Sequence, residues 1–527
     1  MRLAAAALVS TLALAAACAA AVTSGAAPST QAPAANQAVL PVQAADPYYA
    51  QAADAVDARI AERGLKPAKN VILFVGDGMG ISTITASRIY AGQSAGVDGE
   101  SFRLAMETLP WSALSKTYSH DYQVSDSAAT ATAMTAGLKT KSGFLGVSSA
   151  ANFGNCASAQ GAEAETLFEI AQRAGLATGI ISTARITHAT PGATYAKVPH
   201  RNWESDADMR GASSDTCKDI ARQLIEGAAS DFDVILGGGR SKFLPAETPD
   251  PEYPDQTGER SDGRNLMEEW AAKGGARATM VDRAGFEAVD FASDVKVFGL
   301  FEPSHMQFEL DRESDTAGEP SLEEMTRATI TRLSRNPEGF VLMVEGGRID
   351  HAHHAGNAIR ALEDTLAFDA AIAAALEMTS REDTLIIVTA DHSHTFTING
   401  YPQRGNPILG LVTAGASSEG GSLGADGMPY TTLSYANGPG ACRETGKDDA
   451  GKPVFDCARY DLTNVDTTAP DFRQQSLVPL YSETHGGEDV AAFASGPGAN
   501  LISGVIEQNE LFHVMGRAIG LIEAPEQ

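Results

Sequence analysis

Short runs of consecutive apolar residues recur along the chain, separated by stretches in which apolar residues follow the spacing of one helical face. Unbroken apolar runs of this length are typical of strands buried on both faces of a parallel sheet, and the stretches between them, such as 164–175 and 359–378, predict the covering helices. The predicted strands are 71–75, 178–182, 234–236, 295–300, 340–344, 385–388 and 490–493. The pattern therefore predicts an α/β fold with three layers, α/β/α, around a largely parallel central sheet.

Polar residues that can bind metal ions follow four of the predicted strands, at or just beyond their carboxyl ends. They are Asp77, His188 with Thr190, Glu345, and Asp391 with His392. A single Asp or Thr in such a place is more often a helix cap or a turn residue. The repetition after four strands favours a ligand site instead, because sites in open parallel sheets form outside the carboxyl ends of the strands.

The segment 344–354, Val-Glu-Gly-Gly-Arg-Ile-Asp-His-Ala-His-His, carries the densest group of candidate ligands. If a helix begins near Asp350, the side chains of Asp350 and His354 lie on one face of it and can bind one ion. A mixed set of imidazole and carboxylate donors suits zinc. A further candidate donor, His485, lies in the segment 483–489 just before the last predicted strand.

Asp126 and Ser127 open a run of small residues, 126–134, that predicts a helix with Ser127 at its start. Free backbone N–H groups and the helix dipole favour an anion such as phosphate at that position. Taken alone, Ser127 would be interpreted as an ordinary helix cap. The turn 76–80, Gly-Asp-Gly-Met-Gly, is a second place where glycines let the backbone approach a ligand closely.

The N-terminal region and one internal segment differ in composition from the α/β pattern. Residues 1–21 combine a positive charge with an apolar run and small residues, as in a signal peptide, and 22–46 is an Ala/Pro-rich stretch that we expect to be a flexible tether. The segment 396–478 is rich in Gly, Ser, Thr, Asn and Pro and is predicted to be an insertion subdomain. It would interrupt the catalytic α/β domain, which comprises 47–395 and 479–527.

These features predict a protein that is exported to the periplasm or the extracellular space. No second apolar run of membrane-spanning length follows the first one. Cys18 loosely matches a bacterial lipoprotein box, so we expect membrane attachment only if Cys18 is lipidated. The other cysteines suggest disulfides in an exported protein, and our hypothesis, out of three possible pairings, is Cys156–Cys217 with Cys442–Cys457.

The chain has 527 residues and a formal net charge of −28. Such acidity argues against nucleic acid as a partner, because a phosphate backbone needs a basic surface. An anionic substrate would have to be attracted locally, by metal ions and a few arginines.

Taken together, the motifs resemble those of alkaline phosphatases, and they occur in that family's order with compatible spacings. They are Asp-Ser-Ala-Ala at 126–129, Val-Glu-Gly-Gly-Arg-Ile-Asp-His at 344–351, Thr-Ala-Asp-His-Ser-His at 389–394 and Glu-Thr-His-Gly-Gly-Glu-Asp at 483–489. The chain is more similar to the animal branch, as in His188 with Thr190, Arg201-Asn202-Trp203, and His351 after Asp350. The resemblance implies an alkaline phosphatase-like fold, a crown-like insertion and a homodimer.

The resemblance also implies which residues bind metal ions. The two zinc ions would be bound by Asp350, His354 and His485, and by Asp77, Asp391 and His392 next to the nucleophile Ser127; the magnesium ion would be bound by Asp77, Thr190 and Glu345. A calcium site would comprise Glu252, the backbone oxygen of Phe301, Glu302 and Glu319. Animal relatives tend to have aspartate at the last position, and calcium accepts such a change because it binds oxygen ligands flexibly.

The remaining roles concern the substrate and the other histidines. Arg201 resembles the arginine that holds two phosphate oxygens, with Asp126 orienting it, and His188 stands where some bacterial relatives have aspartate. His351 and His394 lie beside ligands and would orient ligands or bound water. The other histidines are interpreted as ordinary hydrogen-bonded or exposed residues: His120, His200, His305, His353 and His513.

The implied function is metal-dependent hydrolysis of phosphate monoesters through a covalent phosphoserine on Ser127, with a broad substrate range and transfer to alcohols as a side reaction. One alternative is a phosphodiesterase or sulfatase on a similar metal scaffold, although a sulfatase needs a Cys/Ser-x-Pro-x-Arg context that 127–131 lacks. The other alternative is a protein that only binds zinc or phosphate.

Overall fold

A ten-stranded sheet runs through the centre of the fold, with helices on both faces. The computed structural model describes residues 38–413, 422–448 and 451–523, and all of these lie within one unit, 36–527. The predicted signal peptide, Cys18 and the predicted tether up to residue 37 lie outside the described residues.

The described end of the predicted tether, 38–46, is packed against the rest of the chain, so the prediction of flexibility is wrong for these residues. Val39 forms a parallel bridge with Ile522 near the other end of the chain. The side chain of Gln43 is buried and donates a hydrogen bond to the carbonyl oxygen of Ala136 at 2.9 Å. Ordered structure therefore begins before the first long helix.

The regular elements follow one another along the whole described chain. The strands are β1 Asn70–Gly76, β2 Trp111–Lys116, β3 Ala177–Arg185, β4 Val234–Gly238, β5 Arg277–Met280, β6 Lys296–Leu300, β7 Phe340–Gly346, β8 Thr384–Ala390, β9 Ser393–His394, β10 Phe396–Ile398, β11 Leu433–Gly438, β12 Arg443–Lys447, β13 Pro453–Asp456, β14 Ser476–Pro479, β15 His485–Gly486, β16 Val490–Ser495 and β17 Gly504–Glu507. The α-helices are α1 Pro47–Arg63, α2 Ile81–Ser94, α3 Ser127–Ala136, α4 Cys156–Ala159, α5 Leu167–Arg173, α6 Ala189–Gly192, α7 Ile220–Glu226, α8 Leu266–Ala271, α9 Arg283–Ala288, α10 Leu322–Leu333, α11 Arg348–His354, α12 Ala358–Met378 and α13 Glu510–Ala518.

The order of strands in the central sheet is β17-β2-β16-β8-β1-β7-β3-β4-β6-β5. Neighbouring strands are parallel except at β16, which runs antiparallel to both β2 and β8. The prediction of a largely parallel sheet is therefore confirmed, and every strand predicted from an apolar run is present. The apolar pattern does not predict β2, β5 and β17, because these strands lie at or next to the sheet edges and mix exposed with buried residues.

The two faces of the sheet have separate hydrophobic cores, as β1 illustrates. Val71, Leu73 and Val75 belong to one core together with residues of α1, α3, α5 and α13. Ile72 and Phe74 belong to the other core together with residues of α2, α10 and α12. Because successive side chains of a strand point to opposite faces, a strand between two helical layers must be apolar at every position. This confirms the three layers.

The segment 396–478 builds structure outside the central sheet. It forms a three-stranded sheet, β10-β11-β14, and a two-stranded hairpin of β12 and β13. Both predicted disulfides are present, and Cys442–Cys457 joins the residues that flank the hairpin, whereas Cys156–Cys217 lies in the larger α/β part. Whether this segment is a separate subdomain stays a prediction. Within the described ranges, every helix is too short or too polar to cross a bilayer.

Leu342→Ala is expected to lower the free energy of unfolding by about 2–5 kcal/mol, because a fully buried leucine leaves a cavity when it is truncated. Leu342 is 0% exposed in the middle of β7. Val505→Ala is the control, since Val505 is 56% exposed on the edge strand β17; its effect should stay within about 0.5 kcal/mol. Urea unfolding followed by circular dichroism measures both, and equal effects would contradict the central position of β7.

Candidate active site

Four neighbouring strands bring the candidate ligands to one edge of the central sheet. β8, β1, β7 and β3 are adjacent in that order. Gly76, at the end of β1, pairs with Ala390 of β8 on one side and with Gly346 of β7 on the other. The side chains at these strand ends therefore converge, as the rule for parallel sheets predicts.

Possible metal-ligand atoms of Asp350, His354 and His485 converge on one position. His354 Nε2 and His485 Nε2 are 3.2 Å apart, and Asp350 Oδ1 lies 3.4 Å from the former and 3.5 Å from the latter. His354 Nδ1 lies 2.5 Å from the carbonyl oxygen of Glu483, and His485 Nδ1 lies 2.8 Å from that of Ser125. Each Nδ1 donates its hydrogen to a carbonyl oxygen, so each Nε2 has a free lone pair. The two Nε2 lone pairs face each other and the Asp350 carboxylate, and a cation between them would stabilise this arrangement.

His394, predicted to orient a ligand, lies between two carboxylates. Its Nε2 is 2.8 Å from Asp350 Oδ1, and its Nδ1 is 2.5 Å from Glu483 Oε2. Because carboxylate oxygens only accept, the ring satisfies both when both nitrogens carry hydrogen. Burial lowers the pKa of His394, but Glu483 and Asp350 outweigh burial and raise it to about 10. We interpret His394 as a donor to Asp350, although its position also lets it join the metal group of His354 and His485.

Asp77, Asp391 and His392 form a second set of donors around Ser127. Ser127 Oγ lies 3.1 Å from His392 Nε2 and 3.4 Å from Asp77 Oδ1. His392 Nε2 is in turn 3.4 Å from Asp77 Oδ1 and 3.3 Å from Asp391 Oδ2. Asp391 Oδ1 accepts hydrogen bonds from the backbone N–H groups of Gly78 and His392, both at 2.9 Å, which leaves Oδ2 to the site. The set is almost entirely buried.

The resemblance assigns a third set, Asp77, Thr190 and Glu345, to magnesium. Two of these residues, Asp77 and Glu345, lie close enough to His188 for the three side chains to share an ion. Glu345 is fully buried, and its Oε2 accepts a hydrogen bond from the Ser182 hydroxyl. Thr190 lies in the short α6 just beyond β3 and is also buried.

Buried oxygen atoms without hydrogen-bond partners indicate that these sets fit cations. Among the residues that the structure describes, they include Asp77 Oδ2, Thr190 Oγ1, Glu345 Oε1 and Asp391 Oδ2. Burial and repulsion from neighbouring carboxylates raise the pKa of Asp77 and Asp391, and burial raises that of Glu345 to about 8 against the hydrogen bond from Ser182. Anions at these positions need compensating positive charge, and the mixture of oxygen and imidazole donors suits zinc and magnesium.

An anion-binding group lies beside Ser127 at the N-terminus of α3. Asp126 caps α3 by accepting from the Ala129 N–H at 3.3 Å, and its other oxygen accepts from Arg201 Nη1 at 3.0 Å. Arg201 Nη2 is 3.1 Å from His188 Nε2, so two side chains hold the guanidinium in place. Burial opposes ionisation of Asp126, but Arg201 outweighs it and keeps the pKa of this carboxyl below its usual range. The guanidinium and the free N–H groups of α3 can both bind phosphate oxygens.

His305, interpreted from the sequence as an ordinary histidine, packs beside two predicted site residues. Its ring centroid lies 4.0 Å from that of His351 and 5.2 Å from that of His188. The three rings are close enough to share a cation, but Arg185 Nη1 already lies 2.6 Å from His305 Nε2 and disfavours one. Burial, reinforced by Arg348, lowers the pKa of His351 to about 3, so this ring is neutral at physiological pH.

The interpretation of the other four histidines as ordinary residues stays a prediction. Within the described ranges, no metal group contains His120, His200, His353 or His513. The best-defined case is His353, whose ring nitrogens lie 3.0 Å from Thr83 Oγ1 and 2.8 Å from Tyr435 OH.

A separate group of carboxylates contains two of the predicted calcium ligands, Glu252 and Glu302, together with Asp315. The sequence interpretation named Glu319, which is not part of this group, and did not name Asp315. The hydroxyl of Tyr253 lies 3.0 Å from Glu302 Oε1 and 3.4 Å from Asp315 Oδ1. Glu319 is buried nearby in sequence with one oxygen unpartnered, and burial and Glu302 raise its pKa to about 9.

A buried serine at a helix N-terminus, with cation sites on one side and an arginine on the other, is typical of metal-dependent enzymes of phosphoryl transfer. The comparisons with known proteins agree. The family model described as alkaline phosphatase matches residues 68–521. The tissue-nonspecific alkaline phosphatase of Gallus gallus is 44% identical over 458 residues, which cover 86% of this chain and 84% of that protein. An alkaline phosphatase of Gadus morhua is 44% identical over 457 residues, which cover 86% and 91% respectively.

The chain therefore belongs to the alkaline phosphatase family, and it is a metal-dependent enzyme that hydrolyses phosphate monoesters. Solved structures confirm the fold. The alkaline phosphatase of Thermus thermophilus has a TM-score of 0.61 at 25% identity, covering 87% of this chain and 92% of that one. The alkaline phosphatase of the Antarctic bacterium TAB5 has a TM-score of 0.58 at 24% identity, covering 87% of this chain and 100% of that one.

Removing metal ions is expected to lower the midpoint of thermal unfolding, because an ion at a thousand times its Kd stabilises the folded state by about 4 kcal/mol. The pKa values of Asp77, Glu345 and Asp391 are raised, so protons compete with cations. The stabilisation by zinc and magnesium should therefore grow as the pH rises from about 6 to 9 and shrink as it falls.

Differential scanning fluorimetry of chelator-treated protein, with and without added zinc and magnesium, measures this stabilisation. The matched control is Asp369→Asn, since Asp369 is a part-buried carboxylate that accepts from the backbone N–H groups of Ala105 and Met106 instead of facing the site. This variant should keep the full metal response, whereas a response independent of pH in the unsubstituted protein would contradict the interpretation.

Proposed function

We propose that Ser127 is the nucleophile and that the enzyme forms a covalent phosphoserine on it. The observation that carries this proposal is the position of Ser127 Oγ at the start of α3, 3.1 Å from His392 Nε2 and 3.4 Å from Asp77 Oδ1. A serine hydroxyl is a weak nucleophile at neutral pH and needs activation. Because the two neighbours are candidate metal ligands, the hydroxyl lies where a bound cation would activate it.

The three donor sets described above are the proposed metal sites. Asp350, His354 and His485 would hold one zinc ion, Asp77, Asp391 and His392 a second, and Asp77, Thr190 and Glu345 a magnesium ion, with His188, His351 and His394 orienting ligands or water. When bound, these ions supply Lewis-acid stabilisation of the charge that develops on the entering and leaving oxygens.

The reaction follows as two in-line displacements at phosphorus. Ser127 Oγ loses its proton to solvent and forms a bond to phosphorus while the bond to the ester oxygen breaks, and the departing alkoxide takes up a proton from solvent. Water then attacks the phosphoserine from the opposite side and loses one proton, the Oγ–P bond breaks, Ser127 Oγ takes up a proton, and inorganic phosphate leaves. An alcohol in place of water gives a new phosphate ester, which is transphosphorylation.

Arg201 and the N-terminus of α3 bind the non-bridging phosphoryl oxygens in both steps. Their donors remain in place because Asp126 Oδ2, 3.0 Å away, and His188 Nε2, 3.1 Å away, hold the guanidinium. Charge in the transition state is spread over these oxygens, so fixed donors stabilise it without reorganisation. Arg201 together with three metal ions would suit the dianionic group of a monoester better than the single charge of a diester.

Several broader proposals rest on the sequence and the family resemblance. Few side chains are placed to contact the leaving group of a substrate, which supports activity on a broad range of monoesters. The N-terminal pattern supports export to the periplasm or the extracellular space, with a lipid anchor if Cys18 is modified. The composition of 396–478 supports an insertion subdomain, and the resemblance supports a homodimer.

We also propose a calcium site formed by Glu252, Glu302 and Asp315. Little positive charge compensates these three carboxylates. Arg240 Nη2 lies 3.2 Å from Glu252, but the same guanidinium forms a bidentate salt bridge with Asp250, with both hydrogen bonds at 2.8 Å. Burial raises the pKa of Glu302, and that of Glu252 to about 7, with Asp315 adding to the latter. A divalent cation with oxygen ligands would compensate this group.

Phe301 and Glu319 complete the donors that the resemblance implies for this site. Glu319 Oε1 accepts from the backbone N–H of Gln307 at 2.9 Å, while Oε2 has no partner among the described residues. We propose that Glu319 supports the site from beside Asp315, and that Asp315 supplies the charged ligand.

Ser127→Ala is expected to reduce hydrolysis of an aryl phosphate monoester at alkaline pH by at least about 10³-fold, because the covalent route is lost. The bound zinc and magnesium should change little, which element analysis checks. Acid quenching with a ³²P-labelled monoester should trap label on the peptide that contains Ser127. Full activity in the variant would remove the nucleophile assignment, and faster turnover of a diester than of a monoester would favour the phosphodiesterase alternative.

Tyrosine-sensitised Tb³⁺ luminescence tests the calcium site, because Tyr253 touches Glu302 and Asp315. In protein already loaded with zinc and magnesium, Tb³⁺ should give emission that calcium displaces. Asp315→Asn should weaken Tb³⁺ binding at least about 10-fold, since a charged oxygen ligand is lost. Glu313→Gln changes an exposed carboxylate of the same loop and should have no effect. Equal binding by both variants would exclude Asp315 as a ligand.

A further inference from the structure

Glu483 is a buried carboxylate that lies outside the three proposed ligand sets. It belongs to the segment between β14 and β15, and only 1% of its surface is exposed. Its Oε1 accepts hydrogen bonds from Thr395 N at 2.7 Å and from Thr395 Oγ1 at 2.6 Å. Its Oε2 lies 2.5 Å from His394 Nδ1. Both oxygens are therefore fixed by neighbours inside the protein.

The same residue is connected to all three proposed ligands of the first zinc ion. His394, held by the Glu483 carboxylate, reaches Asp350 Oδ1 through Nε2 at 2.8 Å. The carbonyl oxygen of Glu483 accepts from His354 Nδ1 at 2.5 Å, and its N–H donates to the carbonyl oxygen of His354 at 2.9 Å. His485 follows two residues later in β15, which pairs with β9 through His485 and His394.

We propose that Glu483 is the positioning residue of the first zinc site. Its side chain fixes His394 against Asp350, and its main chain fixes the ring of His354 and lies two residues before His485, the first residue of β15. The inference rests on the proposed function, because it takes those three residues as the ligands of the ion. Groups that hold metal ligands in this way commonly change metal affinity by about 10–100-fold when they are removed.

The contacts of Glu483 favour a carboxylate at this position. Each oxygen of Glu483 accepts a hydrogen bond from a different neighbour, His394 on one side and Thr395 on the other. A glutamine of the same shape has one accepting oxygen and one NH₂ group. With its oxygen toward Thr395, its NH₂ group faces His394 Nδ1, and a hydrogen bond forms there only when that nitrogen carries no hydrogen. Glu483→Gln therefore replaces a charged hydrogen bond to His394 by a neutral one and weakens the fixation of that ring, while the main-chain contacts with His354 remain.

The experiment follows zinc release from the fully metallated protein into a chelating dye. From Glu483→Gln, one zinc ion should leave at least about 10-fold faster than from the unsubstituted protein, and the other at an unchanged rate. For an aryl phosphate, kcat should fall and recover in excess zinc, while KM stays the same. The thermal midpoint of the metal-free protein should not change. If Glu483 only stabilised the segment, Glu483→Gln would lower that midpoint and leave zinc release unaltered.

Two further variants serve as a control and as a second test of the role of Glu483. Glu488→Gln changes an exposed carboxylate between β15 and β16 and should release zinc normally. Thr395→Val removes one hydrogen bond to Glu483 and should speed release of the same ion about 3- to 10-fold, which covers the case in which Glu483→Gln does not fold. Release at the unsubstituted rate from both Glu483→Gln and Thr395→Val overturns the inference. If His354→Ala binds zinc as tightly as the unsubstituted protein does, the proposed ligands are overturned instead.

Discussion

Repulsion among carboxylates buried at one edge of the sheet is the constraint on which the rest of the structure depends. The order β8-β1-β7-β3 places Asp391, Asp77 and Glu345 at the ends of adjacent strands, with Asp350 one helical turn further on. Burial raises the pKa values of Asp77, Glu345 and Asp391, and neighbouring carboxylates add to the rise. The pKa of Asp350 is lowered instead, because His354, His394 and His485 surround it. The topology that stabilises the core therefore also creates the demand for metal ions.

The same edge must bind a dianion although the chain as a whole is strongly acidic. Its net charge of −28 repels a phosphate ester at long range, so attraction has to come from groups within a few ångströms of the site. We propose Arg201 and the N-terminus of α3 as these groups on the protein's side. Asp126 contacts both, because one of its oxygens caps the helix and the other accepts from the guanidinium, which ties the position of Ser127 to the position of Arg201.

The sequence predicted the parts of the fold and site in which the physical signal is local. β1, β7 and β8 are buried on both faces and appear as unbroken apolar runs, whereas β2, β5 and β17 mix exposure with burial at the margins and leave no such run. The spacing of Asp350 and His354 predicts a shared helical face, and the structure brings both to one point with His485. Ligand types and strand ends thus follow from the residues, although their roles in binding metal stay proposals.

What escaped prediction depends on side chains that approach from distant segments. Asp315 joins Glu252 and Glu302 because the loop around 309–319 folds back, a path that no apolar pattern specifies. Glu483 lies in the segment that carries His485, yet its contact with His394, 89 residues away along the chain, depends on the pairing of β15 with β9. Ligands must present a particular atom and so constrain residue type, whereas the groups that orient them need only an acceptor at the right place. Such groups are specified by tertiary geometry, as the contacts of Glu483 with His394 and His354 illustrate.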